Sequence, residues 1–136
     1  MTRTELEDRY EGVQTFLKDG CLFLSLSSII EQITDTKVDI LDAIKYCKKM
    51  GYIDSNGDMS IGGQCQYLRD LTGKNWTRDV KKELPAVVPD EMYTVEKWEN
   101  ARTGYPHFKR RFMDTLVNSV TVKEGARVAY YCYSHD

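Results

Sequence analysis

Cys21 is the residue of this chain whose setting best suits nucleophilic chemistry. A thiol attacks a carbonyl efficiently only as a thiolate, and both a helix N-terminus and a nearby imidazolium lower a cysteine pKa. Cys21 follows Gly20 and opens an apolar run that reads as a helix, which is where an activated cysteine needs to stand. Upstream, Gln14 carries a side-chain amide able to fold back and donate to an oxyanion beside the Cys21 backbone N–H. The base has to come from far along the chain, because nucleophile and base meet only in the fold. Of the two histidines, His135 lies next to the C-terminus and is expected to fray, whereas His107 follows Tyr105-Pro106 and opens an extended segment. Either Asp114 or Asn118 can reach back to orient its ring if the chain turns after that segment.

The elements that must position these groups are legible in the periodicity. Thr4 to Phe16 reads as a short polar helix, and Lys18-Asp19-Gly20 then punctuates the chain. Cys21 to Gln32 reads as a helix that is apolar nearly all round, through Leu22, Phe23, Leu24, Leu26, Ile29 and Ile30, and is therefore expected to be buried. Ser25, Ser27 and Ser28 lower its propensity but allow close packing. Thr36 with Asp39 resembles a capping box for a second helix that runs to about Met50 and stops at Gly51. Tyr52-Ile53 and Met59-Ser60-Ile61 flank a turn at residues 55–58 and suggest a small hairpin. A third helix spans roughly Gly63 to Leu71 and ends near Gly73, and Pro85 and Pro89 mark an irregular stretch. Extended segments follow at Glu91–Trp98, His107–Asp114, Thr121–Lys123 and Arg127–Tyr133. Helices come first and strands second, which is the order of an α+β domain, and no repeat or linker divides residues 1–136.

Composition narrows the function classes. The chain has 136 residues, 41% hydrophobic and 29% charged, and a net charge of −2, so the basic footprint of a nucleic-acid binder is missing and nucleic acid is an unlikely partner. The stretch Met1–Tyr10 is polar, with no apolar core of a secretory signal. The longest nearly apolar run, Cys21 to Ile30, is far too short to cross a bilayer, so no membrane partner is expected and the expected location is cytoplasmic. Cys21, Cys47, Cys65 and Cys132 are widely spaced and read as free thiols, with Cys47 and Cys132 in apolar surroundings. No metal site is read from them. Asp54-Ser-Asn-Gly-Asp58 begins like a calcium loop, but Met59 and Cys65 stand where glycine and glutamate are needed, so it reads as a turn.

Three ordered segments resemble the papain-like cysteine peptidase superfamily, and most of all its compact bacterial and phage branch related to bacteriocin-leader-cleaving peptidases. Gln14-Thr-Phe-Leu-Lys-Asp-Gly20-Cys21-Leu-Phe-Leu-Ser25 is similar to that family's Gln, short loop, Cys and buried helix. Gly104-Tyr-Pro-His107-Phe108 is similar to its Gly-x-x-His-Phe lead into the catalytic-histidine strand. Asp114-Thr-Leu-Val-Asn-Ser119 and the residues to Gly125 resemble its Asp-Pro loop, the serine and the strand that follow. On this match Asp114 takes the position of the orienting acid. Thr115 stands in place of the family's proline, and Lys109-Arg110-Arg111 replaces the usual apolar run after His-Phe.

The resemblance implies a papain-like fold, with N-terminal helices packed on a small C-terminal antiparallel sheet and the nucleophile at the start of a buried helix. It implies a hydrolase of peptide or amide bonds with a Cys21–His107–Asp114 triad, Gln14 at the oxyanion, no cofactor, and a peptide or protein substrate. In a strand, His107, Lys109 and Arg111 share one face, and two cations beside the base disfavour its imidazolium form. That pattern suits an acidic substrate or an acidic protein partner at Lys109 and Arg111, and equally a solvated edge-strand face. The alternative function is therefore a catalytically inactive papain-like module that binds another protein, for instance a phage-encoded factor acting on a host system.

Overall fold

The computed structural model describes residues 20–55, 57–100, 102, 106–110 and 125–136. Helix α1, Gly20–Thr34, forms the centre of the core. Leu22, Phe23, Leu24, Leu26, Ile29 and Ile30 are each at most 2% exposed, because a helix that is apolar on all sides has no face to give to water. The expected helix over Cys21–Gln32 is thus present and slightly longer. Helix α2, Ile40–Met50, buries one stripe only, Ile40, Ala43, Ile44 and Cys47. Its start differs from the expected capping box. Asp39 itself is the N-cap, its carboxylate accepting from the Asp42 N–H at 3.1 Å, and Thr36 lies outside the helix. Helix α3, Ile61–Thr72, is capped by the Ser60 hydroxyl, which accepts from Gly63 N–H at 3.0 Å. Gly51 and Gly73 end α2 and α3 in the left-handed conformation, at φ 77° and 72°.

The described residues between Tyr52 and Ser60 form a turn and not the expected hairpin. The Gly57 N–H donates to the Asp54 carbonyl at 3.0 Å and closes the turn, but no ladder forms on either side. Tyr52 instead packs beside α3. A Cβ on Gly63 would lie 2.7 Å from the Tyr52 carbonyl oxygen, so this crossing needs glycine. Ile61, read as strand, is the first residue of α3, because Ser60 offers a hydroxyl cap that outweighs the short β pattern.

The remaining described elements form one antiparallel four-stranded sheet. Its strands are β1, Trp76–Lys81; β2, Met92–Asn100; β3, Pro106–Arg110; and β4, Gly125–His135, in the order β1-β4-β2-β3. β1 has no counterpart in the sequence reading, since Thr77-Arg78-Asp79 breaks the apolar alternation and long-range pairing with β4 supplies the order. The Asp79 carboxylate accepts from the Val80 N–H at 2.9 Å and occupies one donor on this edge strand. His135 is not frayed. It pairs with Trp76 and its ring lies 4.9 Å from the indole. Between β2 and β4 the register shifts at Lys97/Trp98, a bulge that places Val128 as the extra residue.

Helices α1 and α3 pack on the sheet, α1 against β3 and α3 against β1. The chain is therefore α+β, with helices first and a small antiparallel sheet after them. Trp76, Val95, Phe108 and Tyr133 carry the sheet's share of the core. Glu96, Tyr130 and Cys132, in the alternate register, are also buried. Cys47 and Cys132 are core residues, as their surroundings suggested, and the described thiols Cys47, Cys65 and Cys132 are free. Among the described residues no helix is long and apolar enough to cross a membrane.

Candidate functional site

Two of the five site residues read from the sequence fall on described backbone. Cys21 is the second described residue of α1. His107 is the second residue of β3 and pairs with Trp98 of β2, beside the bulge at Lys97/Trp98. Gln14, Asp114 and Asn118 lie outside the described residues, as do the opening helix Thr4–Phe16, the strand Thr121–Lys123 and Arg111.

The two elements that carry Cys21 and His107 are in direct contact, since α1 packs against β3. A polar interaction between described side chains crosses this contact. An Arg110 Nη1–H donates to the Ser28 hydroxyl at 3.3 Å. The Ser28 proton is already committed to the Ser25 carbonyl at 2.7 Å, so Ser28 can only accept from Arg110. Arg110 is 9% exposed, its guanidinium lies 5.9 Å from the Tyr93 ring, and its Nε has no partner. Burial lowers its pKa to about 10. In β3 Arg110 shares a face with Phe108, and both are buried. What the sequence did not signal is the burial of a cation there, since Lys109-Arg110-Arg111 reads as a solvated cluster until β3 is laid against a helix.

A second polar group inside the core was also invisible beforehand. Gln64, 3% exposed, accepts from Tyr133 OH at 2.7 Å and from Arg78 Nη1 at 3.3 Å, and its amide donates to the Met59 carbonyl at 2.9 Å. This network joins α3 to β1 and β4 and uses both ends of the Gln64 amide, while the Arg78 Nε within it has no partner. On the far side of α1, Ser27 donates to the Phe23 carbonyl at 2.9 Å, which leaves Tyr67 OH to donate to Ser27 at 2.8 Å. Two adjacent serines of α1 thus give their protons to the helix's own carbonyls and accept from different tertiary neighbours.

The other thiols set a useful background. Burial pushes Cys47 up to about 12 and raises Cys65 and Cys132 above the ordinary thiol value. All three stay protonated at neutral pH, which is the behaviour of packing residues. No cluster of three or more His, Cys, Asp or Glu arranged for a metal ion occurs among the described residues. A groove of about 470 Å³, lined by Ile30, Val38, Ala43, Tyr46 and Leu71, opens at the C-terminal end of α1, the end away from Cys21.

A third cluster lies on the helical surface. Asp70 of α3 accepts from Tyr46 OH of α2 at 2.5 Å and from Tyr52 OH at 2.7 Å. Those hydrogen bonds hold its carboxyl below the usual aspartate value and push Tyr46 up to about 12. The arrangement ties three segments together and presents no nucleophile. Comparison of the chain with protein families, with curated proteins and with solved structures finds no match, so the case for a function rests on the elements that carry Cys21 and His107.

Proposed function

We propose that the chain is a papain-like cysteine hydrolase acting on a peptide or amide bond of a cytoplasmic peptide or protein. Cys21 is the nucleophile and His107 its base, with Asp114 orienting the imidazole and Gln14 donating to the oxyanion. The Cys21 thiolate attacks the carbonyl carbon, and the imidazolium returns its proton to the departing amine. Water, deprotonated by His107, then releases the acyl group from sulfur. This chemistry needs no metal or organic cofactor.

The observation that carries the reading is the packing of α1 against β3, because these are the elements that hold Cys21 and His107. In the sequence Cys21 heads an apolar helical run just after Gly20, and the N–H groups of a first helical turn there would favour a thiolate. The β-bulge beside Trp98, the register partner of His107, adds support, since bulges increase local twist and recur next to active sites.

Alkylation tests it. Iodoacetamide at neutral pH is expected to modify Cys21 well ahead of Cys65, whose thiol is raised by burial, and the advantage is expected to vanish in His107→Ala. Cys21 labelling at the pace of Cys65 would sink the hydrolase.

One observation favours a second reading, a papain-like module that binds a protein without catalysis. Among the described β3 side chains Phe108 and Arg110 are buried, and His107 holds the alternate register position with Lys109. If that register keeps base and nucleophile apart, the face carrying Lys109 serves an acidic partner protein. Equal labelling of Cys21 and Cys65, with an acidic protein retained by the wild type and lost in Lys109→Glu, is its expected signature.

A further inference from the structure

A buried guanidinium is an expensive way to join a strand to a helix. Arg110 is 9% exposed and makes one long hydrogen bond, to Ser28, with its Nε unpartnered. No carboxylate within ion-pair distance of it is found among the described residues. Methionine or leucine would fill comparable volume without burying a charge, and such replacements of buried ions are often neutral or stabilising. Stability alone therefore gives no reason for arginine at this place.

Its position supplies one. Ser28 and Arg110 form a polar point at which α1 and β3 are pinned to each other. From that point Cys21 lies seven positions back along the helix, a rise of about 10 Å. His107 lies three positions back along the strand, also about 10 Å. The pin is thus a similar length of backbone from the Cys21 and His107 positions on the two elements. A directional hydrogen bond fixes the slide of a helix along a strand, whereas apolar packing tolerates several offsets. Val95, the register partner of Arg110, is fully buried and holds the strand at this level from the other side.

We propose that Arg110, acting through Ser28, is the positioning residue that sets the offset between the Cys21 helix and the His107 strand. It touches no substrate. The proposal rests on the reading of Cys21 and His107 as one site.

Disulfide trapping separates the two ideas, because it reports position without needing catalysis. In the full chain carrying His107→Cys, mild oxidation followed by peptide mass spectrometry is expected to yield a disulfide between Cys21 and the thiol introduced on β3. Such a bond needs Cα atoms within about 7 Å. Adding Arg110→Met is expected to slow trapping roughly 10- to 100-fold, as displacements near 1 Å do for reacting groups, while the melting temperature stays level or rises. Ser28→Ala removes only the acceptor and is expected to slow trapping in the same direction. It decides the matter if the methionine variant fails to fold. Trapping at the same rate with and without the Arg110–Ser28 pair overturns the proposal and leaves the site standing. No trapping in any variant overturns both. Trapping that depends on Arg110, together with a wild-type Cys21 that alkylates like Cys65, upholds the positioning role and ends the hydrolase reading.

Discussion

Ser27 and Ser28 are neighbours on one buried helix, and they face opposite kinds of partner. Ser27 looks towards α3, where Tyr67 is fully buried, stacks on Phe23 at 5.1 Å and donates its phenolic proton to the serine. Every polar atom in that contact is used. Ser28 looks towards β3, where Arg110 brings a charge into the core, makes a 3.3 Å hydrogen bond and leaves Nε unpaired. The helix–helix side of α1 is built as stable proteins build their interiors, from large apolar surfaces and satisfied hydroxyls. The helix–strand side gives up stability for direction. That asymmetry is what a chain shows when one interface holds the fold and the other aligns something, and the helix and strand that carry Cys21 and His107 meet at the second.

The comparison predicts a graded set of stabilities. Tyr67→Ala removes the largest buried side chain on the α3 side and is expected to lower stability by about 3–5 kcal/mol in urea unfolding. A loss under about 1 kcal/mol would contradict the view of this side as the structural one. Gly63→Ala drives a methyl group into the Tyr52 carbonyl and is expected to cost about 1–3 kcal/mol, since backbone on both sides has to shift. Tyr67→Phe keeps the ring and removes only the donor to Ser27, for an expected loss of about 1 kcal/mol.

On the other side, Arg110→Met is expected to change stability by less than about 1 kcal/mol, or to raise it. A loss above about 3 kcal/mol would make Arg110 a structural residue and erase the asymmetry. The smallest effect belongs to the surface cluster, whose carboxylate is exposed and screened. Asp70 has a lowered folded-state pKa, through its hydrogen bonds from Tyr46 and Tyr52. Its contribution is therefore present above the unfolded-state value and fades as pH falls through the folded one. Tyr46 is raised to about 12, so its contribution is complete below the ordinary phenol value and is lost as pH climbs through about 12. Asp70→Asn is expected to flatten both slopes in a plot of melting temperature against pH. Unchanged slopes would show that the phenols are held by packing alone.

Much of the helical layer was legible from residue order. The all-round apolar run after Gly20 demands burial whatever it packs against, and Gly51 and Gly73 stop helices because they alone accept left-handed backbone without strain. Helix starts were less legible. Thr36, Asp39 and Ser60 can all cap, and which of them does so depends on where the following turn finds its core. Strand β1 was missed for a related reason. Trp76–Lys81 has no strong alternation, and its order comes from pairing with β4, more than forty positions away.

The candidate site divides in the same way. Residue types and their order were written along the chain: a cysteine opening a buried helix, a histidine opening a later strand, and helices ahead of a sheet. These follow from local periodicity, which each segment carries within itself. Packing alone settled that the cysteine's helix lies on the histidine's strand, that His135 belongs to an aromatic cluster, and that the middle cation of Lys109-Arg110-Arg111 is buried against Ser28. A basic triplet carries no local mark of burial. Whether its charge meets water or a hydroxyl is settled by which element folds over it, and that choice is made by the whole core at once.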